Sequence, residues 1–375
     1  MKYYQYIVSA FFFLCIVLPL VLVGNNERSL ITNKKLNRFP NLEENDTLGQ
    51  SVEKIEAYFD DQYGLKEVVQ REAGHFLYSI GSSSNKVVTV GEDGWLFYTS
   101  KNDGNPFKDI VRTEYYTEEQ KQNWAEHINE KVSYFSEIGV EYYFIVAPNK
   151  SSIYREFIPD RLKPNNSKSR CEDLFDHFRN NGIERALFLL DSLTHVNMRE
   201  SRNLYSKFGS HWNHLGTAYA HEAISSGFRL PKFERVDTDS IVQKIELKDG
   251  VADMDLAKLL TMHKSMNDTD FALVSDELYK NKVYLDRKKY GLDNGRPFYS
   301  LESNSIEEGT LLFVGDSFGE HLAPYFCRNF KTVIVVWYRP NRKMFYELVN
   351  DFNPDYIIEQ RVERYMSAVP PPRFE

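Results

Sequence analysis

Gly315-Asp316-Ser317-Phe318 is the segment of this 375-residue chain best equipped for covalent chemistry. The apolar run Thr310-Leu311-Leu312-Phe313-Val314 before it reads as a buried strand, and Glu320 to Arg328 after it has the spacing of a short helix. A Gly-Asp-Ser at such a strand-to-helix turn aims the Ser317 hydroxyl out of the C-terminal edge of a sheet. It also sets that hydroxyl beside free backbone N–H groups, Gly315 among the residues concerned, where an oxyanion is stabilised. Serine nucleophiles of α/β hydrolase-like enzymes occupy such turns. The tripeptide is common, however, and a turn whose serine only caps the next helix is the competing reading.

A serine hydroxyl is a weak nucleophile without a base to take its proton. Of nine histidines, His211 has the most telling context: Phe208-Gly209-Ser210-His211-Trp212-Asn213, just before a helix from about Leu215 to Ser225. His127 falls on the polar side of a helix and reads as solvated. His75, His177, His195, His221 and His263 have no unusual surroundings. His211 and His214 form an H-x-x-H, but no Glu or Cys falls in register, so no metal site is expected. Trp212 reads as packing that fixes the histidine loop, with sugar stacking as the lesser option. Asn149 and Lys150 end an apolar run and face the same sheet edge. Asn149 is a candidate oxyanion donor and Lys150 a solvated charge. Asp316 points away from Ser317 and is expected to brace the turn.

The elements that must carry these residues alternate. Thr117 and Gln120 form a capping box before a helix whose stripe is Trp124, Ile128, Val132, Phe135 and Ile138, ending at Gly139. Tyr142 to Ala147 is a strand buried on both faces; a helix around Leu174, Phe175 and Phe178 leads to another, Ala186 to Leu190. The second series runs from Leu311 through the Ser317 turn to strands Thr332–Trp337 and Tyr356–Ile358. Together they predict an α/β fold, a mostly parallel sheet with helices on both faces. Residues 228–305, rich in Asp, Lys and Asn, read as an insertion, and the Pro370-Pro371-Pro372 tail (367–375) as a frayed end. The net charge of -8 and pI near 5.7 exclude a nucleic-acid partner. Cys171 and Cys327 either pair or stay as buried thiols.

Tyr6 to Gly24 carries no charge and has the length of a bilayer core, which predicts an uncleaved N-terminal transmembrane anchor (1–24), with a cleaved signal peptide as the alternative. Residues 25–50 read as a tether and 51–366 as the folded domain. Only Lys2 precedes the apolar run, whereas Arg28, Lys34, Lys35 and Arg38 follow it, so a count of positive charges leaves the domain in the cytoplasm.

His211-Trp212-Asn213-x-x-Gly216, followed by Gly315-Asp316-Ser317-Phe318, resembles the AlgJ/AlgX family of alginate and exopolysaccharide O-acetyltransferases, which are SGNH-hydrolase-like. Arg38-Phe39-Pro40, Tyr58-Phe59-Asp60-Asp61-Gln62-Tyr63-Gly64, Gly94-Trp95-Leu96-Phe97, Ala147-Pro148-Asn149-Lys150, Pro354-Asp355-Tyr356 and Glu359-x-x-x-Glu363-Arg364-Tyr365 occur in the family's order. The resemblance implies an SGNH-hydrolase-like fold, acylation of Ser317 with His211 as base, and a polysaccharide acceptor. It further implies a multi-spanning membrane acyltransferase as acyl donor, no soluble cofactor, and location on the periplasmic side of the bacterial inner membrane, against the charge count. One residue departs from the family pattern Asp-x-His-Trp: the aspartate that orients the histidine is Gly209 here. Three readings stay open. Another carboxylate such as Asp191, directly after the Ala186–Leu190 strand, supplies the function; or Ser317 and His211 work as a dyad, with Ser210 or a backbone carbonyl holding the ring; or the protein is an impaired relative that binds polysaccharide. An esterase of the same fold is the nearest enzymatic rival.

Overall fold

The computed structural model describes residues 2–24, 27–29, 35–43, 45–164, 168–235, 237–246, 254–267, 269–274, 278–292, 295–337 and 340–374. By internal contacts the chain forms two units, 1–85 with 257–266, and 86–256 with 267–375. The first is helical: Lys2–Val21, Leu48–Gln62 and Lys66–Ser79. In it the Gly64 amide donates to Pro19 O (3.1 Å), and Asp61 Oδ2 accepts from both nitrogens of Asn37 (2.9 and 2.8 Å), so the stretch expected as a tether is partly bonded down.

Among the described residues no helix is long and apolar enough to cross a membrane. The first helix ends at Val21 and contains Pro19, and its opening turns hold Tyr3, Tyr4, Gln5 and Tyr6. The apolar part from Ile7 to Val21 spans roughly 22 Å at about 1.5 Å per residue, short of a hydrocarbon core of about 30 Å. This overturns the single-pass anchor expected over Tyr6–Gly24, and the inner-membrane location falls with it.

The second unit is built on one sheet. Its strands in chain order are β1 (Glu141–Ala147), β2 (Ala186–Phe188), β3 (Tyr279–Tyr284), β4 (Phe298–Ser303), β5 (Thr310–Val314), β6 (Thr332–Val336) and β7 (Tyr356–Val362). The spatial order is β2-β1-β7-β5-β6-β4-β3. The first five in that order are parallel, but β4 runs antiparallel to β6 and β3 antiparallel to β4, so the sheet is mixed. Both antiparallel strands come from the 228–305 stretch, which therefore extends the sheet instead of only interrupting it. The same stretch forms a ribbon of Val242–Glu246 against Thr269–Leu273.

Alternation along β1 explains the layering. Tyr143, Ile145 and Ala147 join one apolar core while Tyr142, Phe144 and Val146 join the other. The helix α1 (Glu118–Glu137), with the Thr117–Gln120 capping box in place, puts Trp124, Ile128 and Phe135 into the second core. There the tail is docked, not frayed: Phe374 is 3 % exposed, 6.0 Å from the Phe135 ring, and the Pro371 carbonyl lies 3.0 Å from His127 Nδ1, so His127 is buried too. Cys171 and Cys327 are free and belong to different cores. The remaining helices used below are α2 (Arg170–Asn180), α3 (Leu190–Asn197), α4 (His214–Gly227), α5 (Asp255–Leu259) and α6 (Ser317–Leu322).

Candidate active site

Ser317 opens α6 directly after β5, as a serine on a sheet-edge turn must. Asp316 caps that helix and braces the turn twice: its Oδ1 accepts from Phe318 N (3.0 Å) and its Oδ2 from Val362 N at the end of β7 (2.7 Å). Gln360 Oε1 accepts the Asp316 amide at 3.1 Å. A Cβ on Gly315 or Gly319 would stand 2.8 Å from that same oxygen, so both positions need glycine for the close approach. Ser317 lines a cavity of about 410 Å³ with Arg296, Trp337, Gln360 and Tyr365. Its own amide, first in the helix, has no hydrogen-bond acceptor among the described residues.

His211 comes to the serine from the loop before α4. Its Nε2 lies 2.9 Å from Ser317 Oγ. Two neighbours hold the loop. Trp212 Nε1 donates to Phe318 O at 3.1 Å, and Lys150 donates to the carbonyls of Ser206 (3.0 Å), Lys207 (3.2 Å) and Gly209. Lys150 is 3 % exposed and sits over the rings of Trp95 and Phe97. Expected as a solvated charge, it instead places its donors on the carbonyls that precede the histidine. Nothing in its local sequence announces this.

The far side of the imidazole faces a carboxylate that the sequence reading did not identify. Asp255, at the start of α5, has Oδ2 4.0 Å from His211 Nδ1. Ser210 stands between them, its Oγ 2.5 Å from Asp255 Oδ2 and 3.3 Å from Nδ1, while its amide donates to Asp255 Oδ1 at 2.7 Å. The carboxylate can only accept, so the Ser210 hydroxyl donates to it and leaves a lone pair for an Nδ1–H. That tautomer presents an unprotonated Nε2 to Ser317, the form a base requires. His214 is no substitute base: burial, then His321, pushes its pKa down to about 3.

The other expected site residues lie elsewhere. Strand β2 stops at Phe188 and α3 starts at Leu190, so Asp191 sits exposed in a helical first turn. The Gly315 amide is spent on Val336 O (3.0 Å) in the sheet and cannot serve an oxyanion. Asn149 gives its amide to Glu363 (2.8 Å), and its side chain lies against Asp109. Trp212 is fully buried, which removes the sugar-stacking option. Asp255 carried one sequence signal, a carboxylate opening a short amphipathic stretch, and that is too weak to pick it from the surrounding acids.

Residues 88–286, more than half of the chain, match the family model described as SGNH hydrolase-like domain, acetyltransferase AlgX. The matched span contains His211 and Asp255 and ends before Ser317. Among solved structures, Bacillus cereus PatB1 is similar at 14% identity and a TM-score of 0.52, covering 77% of this chain and 99% of that one. The O-acetyltransferase domain of Pseudomonas putida AlgJ aligns at 14% identity over 75% of this chain and 92% of that chain, with a TM-score of 0.47. At 14% identity the likeness to PatB1 is one of fold. No curated protein matches the sequence.

Proposed function

We propose, from the premise that this chain belongs to the AlgX family of SGNH hydrolase-like acetyltransferase domains, that it is a polysaccharide O-acetyltransferase working through an acyl-Ser317 intermediate. The observation that carries the reading is the 2.9 Å approach of His211 to Ser317 with Asp255 behind the ring. Ser317 Oγ attacks the acyl carbonyl while its proton passes to His211 Nε2. The resulting oxyanion is met by the Ser317 amide. His211 then returns the proton to the leaving group as the acyl-serine forms. A sugar hydroxyl repeats the sequence in reverse, losing its proton to His211, taking the acyl group and freeing Ser317. Throughout, Asp255 and the Ser210 bridge stabilise the imidazolium. Gly209 is the reason to suspect an impaired relative; Asp255 supplies the carboxylate that Gly209 lacks. On the same reading the acyl group reaches Ser317 from a membrane-spanning acyltransferase.

Hydrolysis needs the same residues, with water in place of the sugar hydroxyl. The protein is incubated with an activated acetyl ester, with and without oligosaccharide, and both protein and glycan are weighed. Acetyl on Ser317 that moves to the glycan is the expected result, absent in Ser317→Ala. Release of acetate at an unchanged rate whether or not glycan is added would make it an esterase. Full transfer by Ser317→Ala would remove the whole assignment.

A further inference from the structure

A second cavity, of about 400 Å³, opens beside the C-terminal end of β1 and shares no lining residue with the Ser317 cavity. Asp109, Arg112, Ser151, Ser152, Arg155 and Lys163 line it. Arg112, with a side chain 8% exposed, has Glu172 Oε2 at 3.4 Å as its ion-pair partner, and the same oxygen serves Arg155 at 3.2 Å. One carboxylate thus answers two guanidiniums. Lys163 meets Asp160, itself 91% exposed. Arg112 also holds a left-handed backbone (φ 52°), a conformation that residues other than glycine rarely adopt.

Two further acids, Asp109 and Glu363, lie beneath. Asp109, with a side chain 2% exposed, pairs with Arg170 Nε at 2.7 Å, yet neither oxygen finds a well-aligned hydrogen bond. Burial, and then the Glu363 carboxylate, holds its carboxyl well above the usual range. Glu363 is likewise raised by burial, and its Oε1 has no partner. The buried Glu359 on β7 shows what a closed arrangement looks like. Lys131 (2.6 Å), Tyr142 (2.8 Å) and Arg361 (2.9 Å) surround it.

We infer that this second cavity binds an oxyanion, a carboxylate or phosphate on a monosaccharide-sized polar ligand, gripped by the Arg112 and Arg155 guanidiniums with Lys163 at the rim. Guanidinium forks suit both anions, charge-assisted hydrogen bonds are the strong kind, and the volume fits one sugar ring. The inference does not depend on acyl chemistry at Ser317.

The test is calorimetric titration of the full chain with glucuronate, glucose 6-phosphate, inorganic phosphate and glucose. It is run on wild type and on Ser317→Ala, so a failed nucleophile assignment leaves the binding result readable. Binding of an anion but not of glucose is expected, with the sugar arms separating carboxylate from phosphate. Arg112→Gln and the half-exposed Arg155→Gln should each weaken it by about tenfold or more, the loss of one charge-assisted pair. Arg155→Gln keeps the test valid if Arg112→Gln does not fold. No heat with any anion, or equal anion binding by wild type and a folded variant, overturns the site.

Discussion

The two halves of the proposed active site are built differently. Ser317 and His211 hang on the sheet: β5 delivers the serine, Val362 and Gln360 fix its turn, and Lys150 and Trp212 fix the histidine loop. Asp255 comes from a five-residue helix in a region of short elements, and its side chain is 41% exposed against 18% for His211. The proposed nucleophile and base are thus set by the framework, whereas the proposed acid is attached from outside it, through a serine bridge at 2.5 Å. On the proposed assignment, the acid of a Ser–His site need not precede the histidine in sequence. It needs only a carboxylate that can face Nδ1, which a neighbouring segment supplies here.

The comparison is broken most severely at the acid. Asp255→Asn should lower acetyl transfer by about a thousandfold to ten-thousandfold, as amide replacement of a triad acid does, while Asp191→Asn stays near wild type in the same assay. Adding Gly209→Asp to Asp255→Asn should recover part of the rate, because a carboxylate then returns to the family position. Added to wild type it should slow the enzyme, two carboxylates competing for one ring nitrogen. An active Asp255→Asn together with an inactive Asp191→Asn would reverse the assignment.

A smaller loss separates bridge from acid. Ser210→Ala leaves Asp255 4.0 Å from Nδ1 with no hydroxyl between. The rate constant kcat should fall by about 10–100-fold, the scale seen for outer-shell partners at metal sites, with KM little changed. A drop as large as that of Asp255→Asn would mean that Ser210 itself is the essential partner.

The smallest effect is read in stability and contrasts His211 with a histidine that has no carboxylate. His221 on α4 is fully buried between Asn329 (2.7 Å) and Ser225 (3.2 Å), and burial pushes its pKa down to about 4. An unfolded histidine titrates near pH 6.5. Between those values the unfolded chain binds the extra proton, so this contribution to stability is complete above about pH 6.5 and is lost progressively as pH falls toward 4. Thermal melts at pH 7 and 4.5 should show the loss, and His221→Asn, unable to titrate, should reduce it. An identical pH dependence in the variant would show that His221 carries none of it.

Local pattern was enough to find the Gly315–Phe318 turn. Five apolar residues, then Gly-Asp-Ser, allow little besides a strand and a helix start, because such a run is stable only when buried. The Thr117–Gln120 cap and the Tyr142–Ala147 strand follow from the same short-range rules, and both stand in the structure within a residue or two. What depends on long-range approach did not show. Lys150 reads as any surface lysine until the 206–209 carbonyls fold over it. Asp191 looks placed at a sheet edge until β2 ends two residues sooner and a helix turns it outward. The N-terminal run looks long enough for a bilayer until its helix stops at Val21. Composition and spacing thus determined that a Gly-Asp-Ser turn and a histidine loop exist on alternating strands and helices, though not that the sheet is mixed. The tertiary structure alone decided which carboxylate faces the imidazole, since that contact joins residues 44 positions apart in sequence, 211 and 255, and nothing local to either one encodes the other.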